Sequence, residues 1–187
     1  MIKRRNPLDR YAKDLAPGTV SWIGVRPLRR EPLTAVTEAT ACAGLGLEGD
    51  HRMGKTPGSG RQVTLISEEF IAQIERFTGL AAIEPAILRR NLVVSGINLN
   101  ALRRQRFRVG EAVFEATQLC HPCARMEEAL GKGGVAAMLG HGGLCAKIIE
   151  GGAIRIGDAI TAVESSHEQR IKHNTYHPVF GQWGVQS

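Results

Sequence analysis

The residues best suited to chemistry fall in one short stretch, Cys120-His121-Pro122-Cys123-Ala124-Arg125. Two thiols stand three positions apart, with an imidazole between them and a guanidinium just beyond. The residues before them read as a strand running to Leu119, His121-Pro122 reads as a tight turn, and a short helix is expected from Cys123. Proline suits a first helical turn, where its missing N–H would have had no partner. A thiol at a helix start sits among unpaired N–H groups at the positive end of the macrodipole. With Arg125 nearby, this favours the thiolate at Cys123, the form that attacks electrophiles and binds metals. Cys120, at a strand end, is expected to be the less reactive of the two. Four kinds of chemistry compete: a thiol packing as a small hydrophobe; a Cys-x-x-Cys dithiol, though without the βαβ context of thioredoxin; half of a zinc site, with Cys42, His51 and Cys145 as scattered further ligands; and a single reactive thiolate, Cys123, that carries sulfur or binds a soft metal.

The elements around this stretch are mostly short strands. Gly18 to Val25 reads as a first strand ended by Arg26-Pro27, and residues 32–40 as a second extended segment with Leu33 and Val36 as core candidates. Gly44, Gly46 and Gly49 imply positive φ in a run that ends in Asp50-His51-Arg52, and residues 53–60 form a loop. The spacing there does not fit a phosphate-binding P-loop. Val63 and Leu65 alternate with Gln62, Thr64 and Ile66 as in a strand. Ser67 then caps a helix whose first turn holds Glu68 and Glu69, whose apolar stripe is Phe70, Ile71, Ile74 and Phe77, and which Gly79 ends. Pro85 opens a short helix, and residues 91–94 form a buried strand. Four arginines crowd residues 103–108, an ordinary solvated face. Phe107, Val109, Val113 and Phe114 flank Gly110 in a hairpin. Residues 124–130 read as a helix. Two further strands, 144–149 and 154–163, are expected to pair as a hairpin across Glu150-Gly151-Gly152, with Cys145 and Lys147 on its outer face. The pattern predicts a mainly β fold, a β-barrel with short helical insertions. Residues 1–17 form an arm, 18–163 the barrel domain, and 164–187 a tail packing on it.

Composition narrows the function classes. The 187 residues are 43% hydrophobic, enough for one domain with a real core. No apolar run approaches the roughly 18 residues of a membrane span. The basic start lacks the apolar stretch of a secretory signal. Four cysteines are too few for a disulfide scaffold, which points to free thiols and a cytoplasmic location. The net charge of +6 suits an anionic partner. Aromatics are only 5% and no basic-aromatic motif is present, so a small anion is favoured over nucleic acid.

Five blocks in order, Gly44 to Arg52, Arg61 to Ile66, Arg90 to Gly96, Cys120 to Cys123 and Gly142 to Lys147, followed by Ile156-Gly157-Asp158, resemble the MOSC domain, the C-terminal domain of molybdenum-cofactor sulfurases, which also occurs as stand-alone bacterial proteins. The resemblance covers residues 18–163. It implies a β-barrel and a functional cysteine in the place of Cys123, which ligates the metal of a molybdenum cofactor (molybdopterin) in members that reduce N-hydroxylated compounds, or handles sulfur in sulfurases. The chain lacks the aminotransferase-like domain of full sulfurases and the additional N-terminal barrel of larger reductases. The cofactor is a phosphorylated pterin, so the resemblance calls for guanidinium groups. Arg61, Arg90 and Arg125 are the leading candidates and are expected to share one pocket with Cys123; His51, Asn91 and Lys147 follow. Implied partners are a small-molecule substrate and either an electron-donor protein or a sulfur-donating desulfurase. A molybdenum oxidoreductase and a non-enzymatic carrier of sulfur or cofactor both remain open.

Overall fold

Leu65 and Ile66 are neighbours in sequence and are buried in two different cores. That alternation is the plan of the molecule. The computed structural model describes residues 9–12 and 14–163. A short helix α1 (Asp9–Ala12) precedes β1 (Gly18–Val25), β2 (Thr34–Val36), β3 (Glu38–Cys42) and β4 (Gly46–Leu47). Then come β5 (Val63–Ser67), α2 (Glu68–Thr78), β6 (Leu92–Ser95), β7 (Arg106–Val109) and β8 (Ala112–Leu119). The chain continues through α3 (Ala124–Leu130), α4 (Gly134–Ala137), β9 (Leu144–Glu150), β10 (Gly152–Arg155) and β11 (Ala159–Val163). The expected packing of 164–187 lies outside the described residues.

Seven strands close a barrel in the order β11-β7-β8-β9-β5-β6-β1, with β1 meeting β11 to complete the ring. Only β5 and β6 run parallel, joined by the α2 crossover. Leu65, Leu92, Val94, Phe107, Phe114 and Leu144 fill the interior. Ile66 and Val93, the residues between, face outward and pack under α2, α3 and α4 with Ile71, Ile74, Met126 and Leu130. The mainly β barrel with few helices is as the sequence pattern implies.

Ser67 caps α2 as expected, its Oγ accepting from Phe70 N at 3.2 Å, and Gly79 closes it at φ 74°. Phe77 departs from the expected stripe and is 59% exposed. It lies seven residues from Phe70, on the margin of the stripe, and both rings meet His141 edge-on. The expected hairpin across residues 150–152 does not form. β9 pairs with β5 and β8, whereas β10 joins a separate small sheet beside β3 and β4. Gly152 explains the departure: a Cβ there would press on Glu111, so the glycine serves close passage past the β7–β8 turn, not chain reversal. The expected strand 154–163 is also split, at Gly157-Asp158, into β10 and β11.

Candidate functional site

Five segments meet at one end of the barrel: the exit of β1, residues 50–52, the entry to β5, residues 89–91 ahead of β6, and the loop 120–126. Together they line a cleft of about 150 Å³. Six arginines, at 26, 52, 61, 89, 90 and 125, stand in that lining, with Asp50 its one carboxylate. A second cleft of about 360 Å³ adjoins it through Arg52, Arg61 and Gln62 and adds Arg29, Lys55 and His51.

Asp50 does little to neutralise this charge, because its oxygens are committed to holding the loops. Oδ2 accepts from Arg26 N at 3.2 Å and from Asn91 Nδ2 at 3.1 Å, and Oδ1 accepts from Arg52 N at 2.9 Å. His51 Nδ1 lies 3.3 Å from Asp50 Oδ1 without the alignment of a hydrogen bond. Burial, outweighing Asp50, pushes the imidazole below the ordinary histidine range, so it is neutral near pH 7. Asn91 is consumed in the same way. Its Oδ1 accepts from Thr64 N and Thr64 Oγ1, and its Nδ2 also donates to Gly24 O. This pairing stitches the ends of β1, β5 and β6 together beneath the cleft.

The arginines divide into two kinds. Arg90 is 5% exposed, and its guanidinium donates to Gly142 O at 2.7 Å, Leu88 O at 2.7 Å and Cys120 O at 3.2 Å. It is a clamp on the cysteine loop, spent on carbonyls. Arg26 is 7% exposed, and its Nε has no hydrogen-bond partner. Burial and then the neighbouring Arg89 push its guanidinium down from the usual arginine range. A buried cation left in this state is costly unless an anion joins it. Arg89 sits at φ 61°, ψ 33°, in the left-handed region, which costs a non-glycine residue on the order of 1 kcal/mol. Strain of this kind gathers at functional sites. Arg89 lines the cleft within electrostatic reach of Arg125 and Cys123.

The thiols divide as well. Cys123 is exposed in the cleft lining and is the N-cap of α3. Cys120 and Cys145 are buried. Arg61 reaches both, with Nε 3.2 Å from Cys145 Sγ and Nη2 3.9 Å from Cys120 Sγ. The Cys120 thiol donates to Cys145, and that hydrogen bond, with Arg61, holds Cys145 down to about 6. The same bond and burial push Cys120 up. One proton is therefore shared between two sulfurs. The expectation of an outer face for Cys145 is corrected here: the loop carrying Cys120 and the Arg61 side chain cover it. Close approach of that loop depends on Gly142 and Gly143. A Cβ at Gly142 would collide with Cys120 O, and one at Gly143, whose φ is 86°, with Leu65 O.

A family model for the MOSC domain matches residues 49–161, more than half of the chain. The chain belongs to the MOSC family. This family is associated with molybdenum-cofactor binding. The fold is similar to that of the YUAD protein from Bacillus subtilis, with a TM-score of 0.70 at 19% identity over 81% of this chain and 98% of that one. YiiM from Escherichia coli gives a TM-score of 0.60 at 21% identity, over 79% of this chain and 70% of that one. YiiM from Geobacillus stearothermophilus gives 0.62 at 16% identity, over 79% and 75%. At these identities the likeness is one of fold. No curated protein matches the sequence.

Within this MOSC domain, Cys123, Arg61, Arg90, Asn91 and Arg125 line one cleft, and His51 lines the adjoining one. Lys147 stands apart from both, its Nζ 3.0 Å from Glu115 Oε1 on the barrel wall. The sequence reading passed over Arg26 and Arg89. Arg26 carried one signal, a cation placed where Pro27 stops a strand. Arg89 carried none, because its neighbour Arg90 looked equivalent until one side chain turned inward and the other into the cleft. Cys120 is partnered with Cys145, not with Cys123 as a Cys-x-x-Cys dithiol would require. Among the described residues no three His, Cys, Asp or Glu side chains converge as a metal site, so the zinc reading finds no second ligand pair. Among them, too, no helix is long and apolar enough to cross a membrane.

Proposed function

We propose that this MOSC protein binds molybdenum cofactor across the two adjoining clefts, with Cys123 as the protein ligand to the metal, and reduces N-hydroxylated bases or similar small molecules. The observation that carries this reading is an exposed thiol in a cleft whose cations outnumber their one carboxylate. The donor set fits the group. A thiolate is the soft ligand that molybdenum in a dithiolene accepts. The unpartnered Nε of buried Arg26, with Arg89 and Arg125, offers donors to an anion, and Arg29, Arg52 and Lys55 continue the positive lining. When bound, the cofactor would supply two-electron redox chemistry at its metal.

The chain's own residues do the rest. Arg90 fixes the loop that carries Cys123 by holding Cys120 O and Gly142 O. Asn91 and Asp50 tie the strand ends so that Arg26 and Arg52 stay beside the cleft. His51, neutral at pH 7, can accept or donate a proton at the edge of the second cleft. An electron-donor protein would complete the cycle.

The exposure of Cys123 also suits a second reading, a carrier that holds sulfur as a persulfide supplied by a desulfurase. Metal analysis separates the two. Protein purified from a cofactor-competent host is expected to contain near-stoichiometric molybdenum, and Cys123→Ala to contain background levels. Molybdenum retained in Cys123→Ala would overturn the assignment of the ligand. A persulfide mass shift on Cys123 with no metal would establish the carrier.

A further inference from the structure

Three thiols remain without a part in this scheme, and two of them lie together. Cys120 and Cys145 are buried side by side under Arg61, beside the cleft. We propose that Cys120 and Cys145 form a redox dithiol, converted to a disulfide by a small hydroperoxide that enters through the cleft. The dithiol stands independently of the cofactor reading; only its effect on the loop carrying Cys123 rests on it.

Topology places the pair. β8 and β9 are antiparallel with Gln118 opposite Cys145 and Leu119 opposite Leu144. Cys120 N continues the ladder by donating to Gly143 O at 2.8 Å. Cys120 is thus two residues along from the partner of Cys145, on the same face of the sheet, as a diagonal neighbour. Both sulfurs lie against one guanidinium, Cys145 Sγ 3.2 Å from Arg61 Nε and Cys120 Sγ 3.9 Å from Arg61 Nη2, so closing them to the ~2.05 Å of a disulfide takes rotation of both side chains and a small approach of two diagonal positions that ordinarily stand about 7–8 Å apart. Cys120 is part of the cleft lining, which gives a small oxidant access to a pair that is otherwise enclosed.

The chemistry balances with the hydroperoxide as oxidant. The pair holds one proton and one negative charge, stabilised by the Arg61 guanidinium. The Cys145 thiolate attacks the peroxide oxygen, the O–O bond breaks, and Cys145 becomes a sulfenic acid as hydroxide leaves. Hydroxide takes the Cys120 proton and becomes water. The Cys120 thiolate then attacks the Cys145 sulfur, the S–S bond forms, and the second hydroxide is protonated from solvent to water. The two sulfurs are oxidised by two electrons and one peroxide is reduced to two waters. The product no longer carries an anion for Arg61. It also places a covalent tie on Cys120, whose carbonyl Arg90 holds and whose loop continues to Cys123.

The full chain, reduced and then given stoichiometric hydrogen peroxide, tests this directly. Intact mass should fall by about 2 Da, the two hydrogens lost when a disulfide closes. Peptide mapping should find Cys120 joined to Cys145, in wild type and in Cys123→Ala alike. Arg61→Gln should slow the reaction about tenfold by removing the donor that favours the thiolate. A Cys120–Cys123 link would overturn the proposal. So would oxidation of Cys123 alone with both buried thiols still alkylatable after denaturation, or a link that forms at the wild-type rate in Arg61→Gln. Because wild-type mapping requires no metal, a failed cofactor assignment and a failed dithiol assignment give different results.

Discussion

The wall of the barrel and its open end carry similar numbers of cations and treat them in opposite ways. On the wall, Arg106 and Lys147 meet Glu115 at 3.7 and 3.0 Å and Arg108 meets Glu150 at 3.9 Å, and on the small sheet beside it Arg155 meets Glu38 at 2.9 Å. At the open end, Arg26, Arg52, Arg61, Arg89 and Arg125 share Asp50, whose oxygens are taken up by backbone N–H groups and Asn91. Cations drawn together without counter-ions raise the energy of the empty protein. The wall charges are met by carboxylates; those at the open end are not, which is the arrangement the proposed anion would complete. The difference teaches that net charge carries less information than where charge is left uncompensated.

The comparison breaks most sharply at Arg90, which lies in the cleft yet serves the structure. Arg90→Ala leaves three carbonyls without their donor and should cost about 3 kcal/mol in chemical denaturation. If it costs less than Arg106→Ala, Arg90 is not a clamp. Arg26→Met should act in the reverse sense. It removes a buried guanidinium whose Nε has no hydrogen-bond partner, so the empty protein should melt at the same temperature or higher, while affinity for a pyrophosphate probe falls about tenfold, or ~1.4 kcal/mol. A loss of stability with unchanged pyrophosphate affinity would place Arg26 with the structural residues.

A pH series sharpens the contrast further, because the buried thiols are the one anionic partner that the open end supplies to Arg61. Below about pH 6 both sulfurs are protonated, folded or not, and contribute nothing. From there to about pH 8.5, the range of a free thiol, the folded pair has released a proton that the unfolded chain keeps, so stability should rise with pH. Above it the unfolded chain releases both protons and the folded pair only one, so stability should fall again. Cys145→Ala should flatten this maximum in a denaturant series; a maximum that survives the substitution would assign it to other groups. The smallest effect belongs to the wall. Arg106→Ala should change stability by less than about 0.5 kcal/mol and leave pyrophosphate affinity untouched.

The local signals in the sequence determined the elements. Alternation at 63–66 set an interior and an exterior face, and Ser67 and Gly79 bounded α2, because each is a short-range steric or hydrogen-bonding constraint; Pro122, expected in the first turn of α3, instead precedes its N-cap Cys123. Local chemistry also favoured the thiolate at Cys123, whereas Arg61, Asn91 and Arg125 came into consideration as cofactor contacts only through the resemblance to the MOSC domain. Tertiary structure alone decided which strands pair, and so whether Gly151-Gly152 turns a hairpin or lets β10 slip beside β3. It also decided which of two adjacent arginines is a clamp and which faces the cleft, and that Cys145 lies beneath Arg61 next to Cys120, not on an outer face. Those choices depend on groups far away along the chain, such as Cys145 for Arg61, 84 positions on, and β3 for β10, and are made only when the barrel closes. Periodicity records which side of its own strand a residue faces. It does not record what the rest of the chain places against that side.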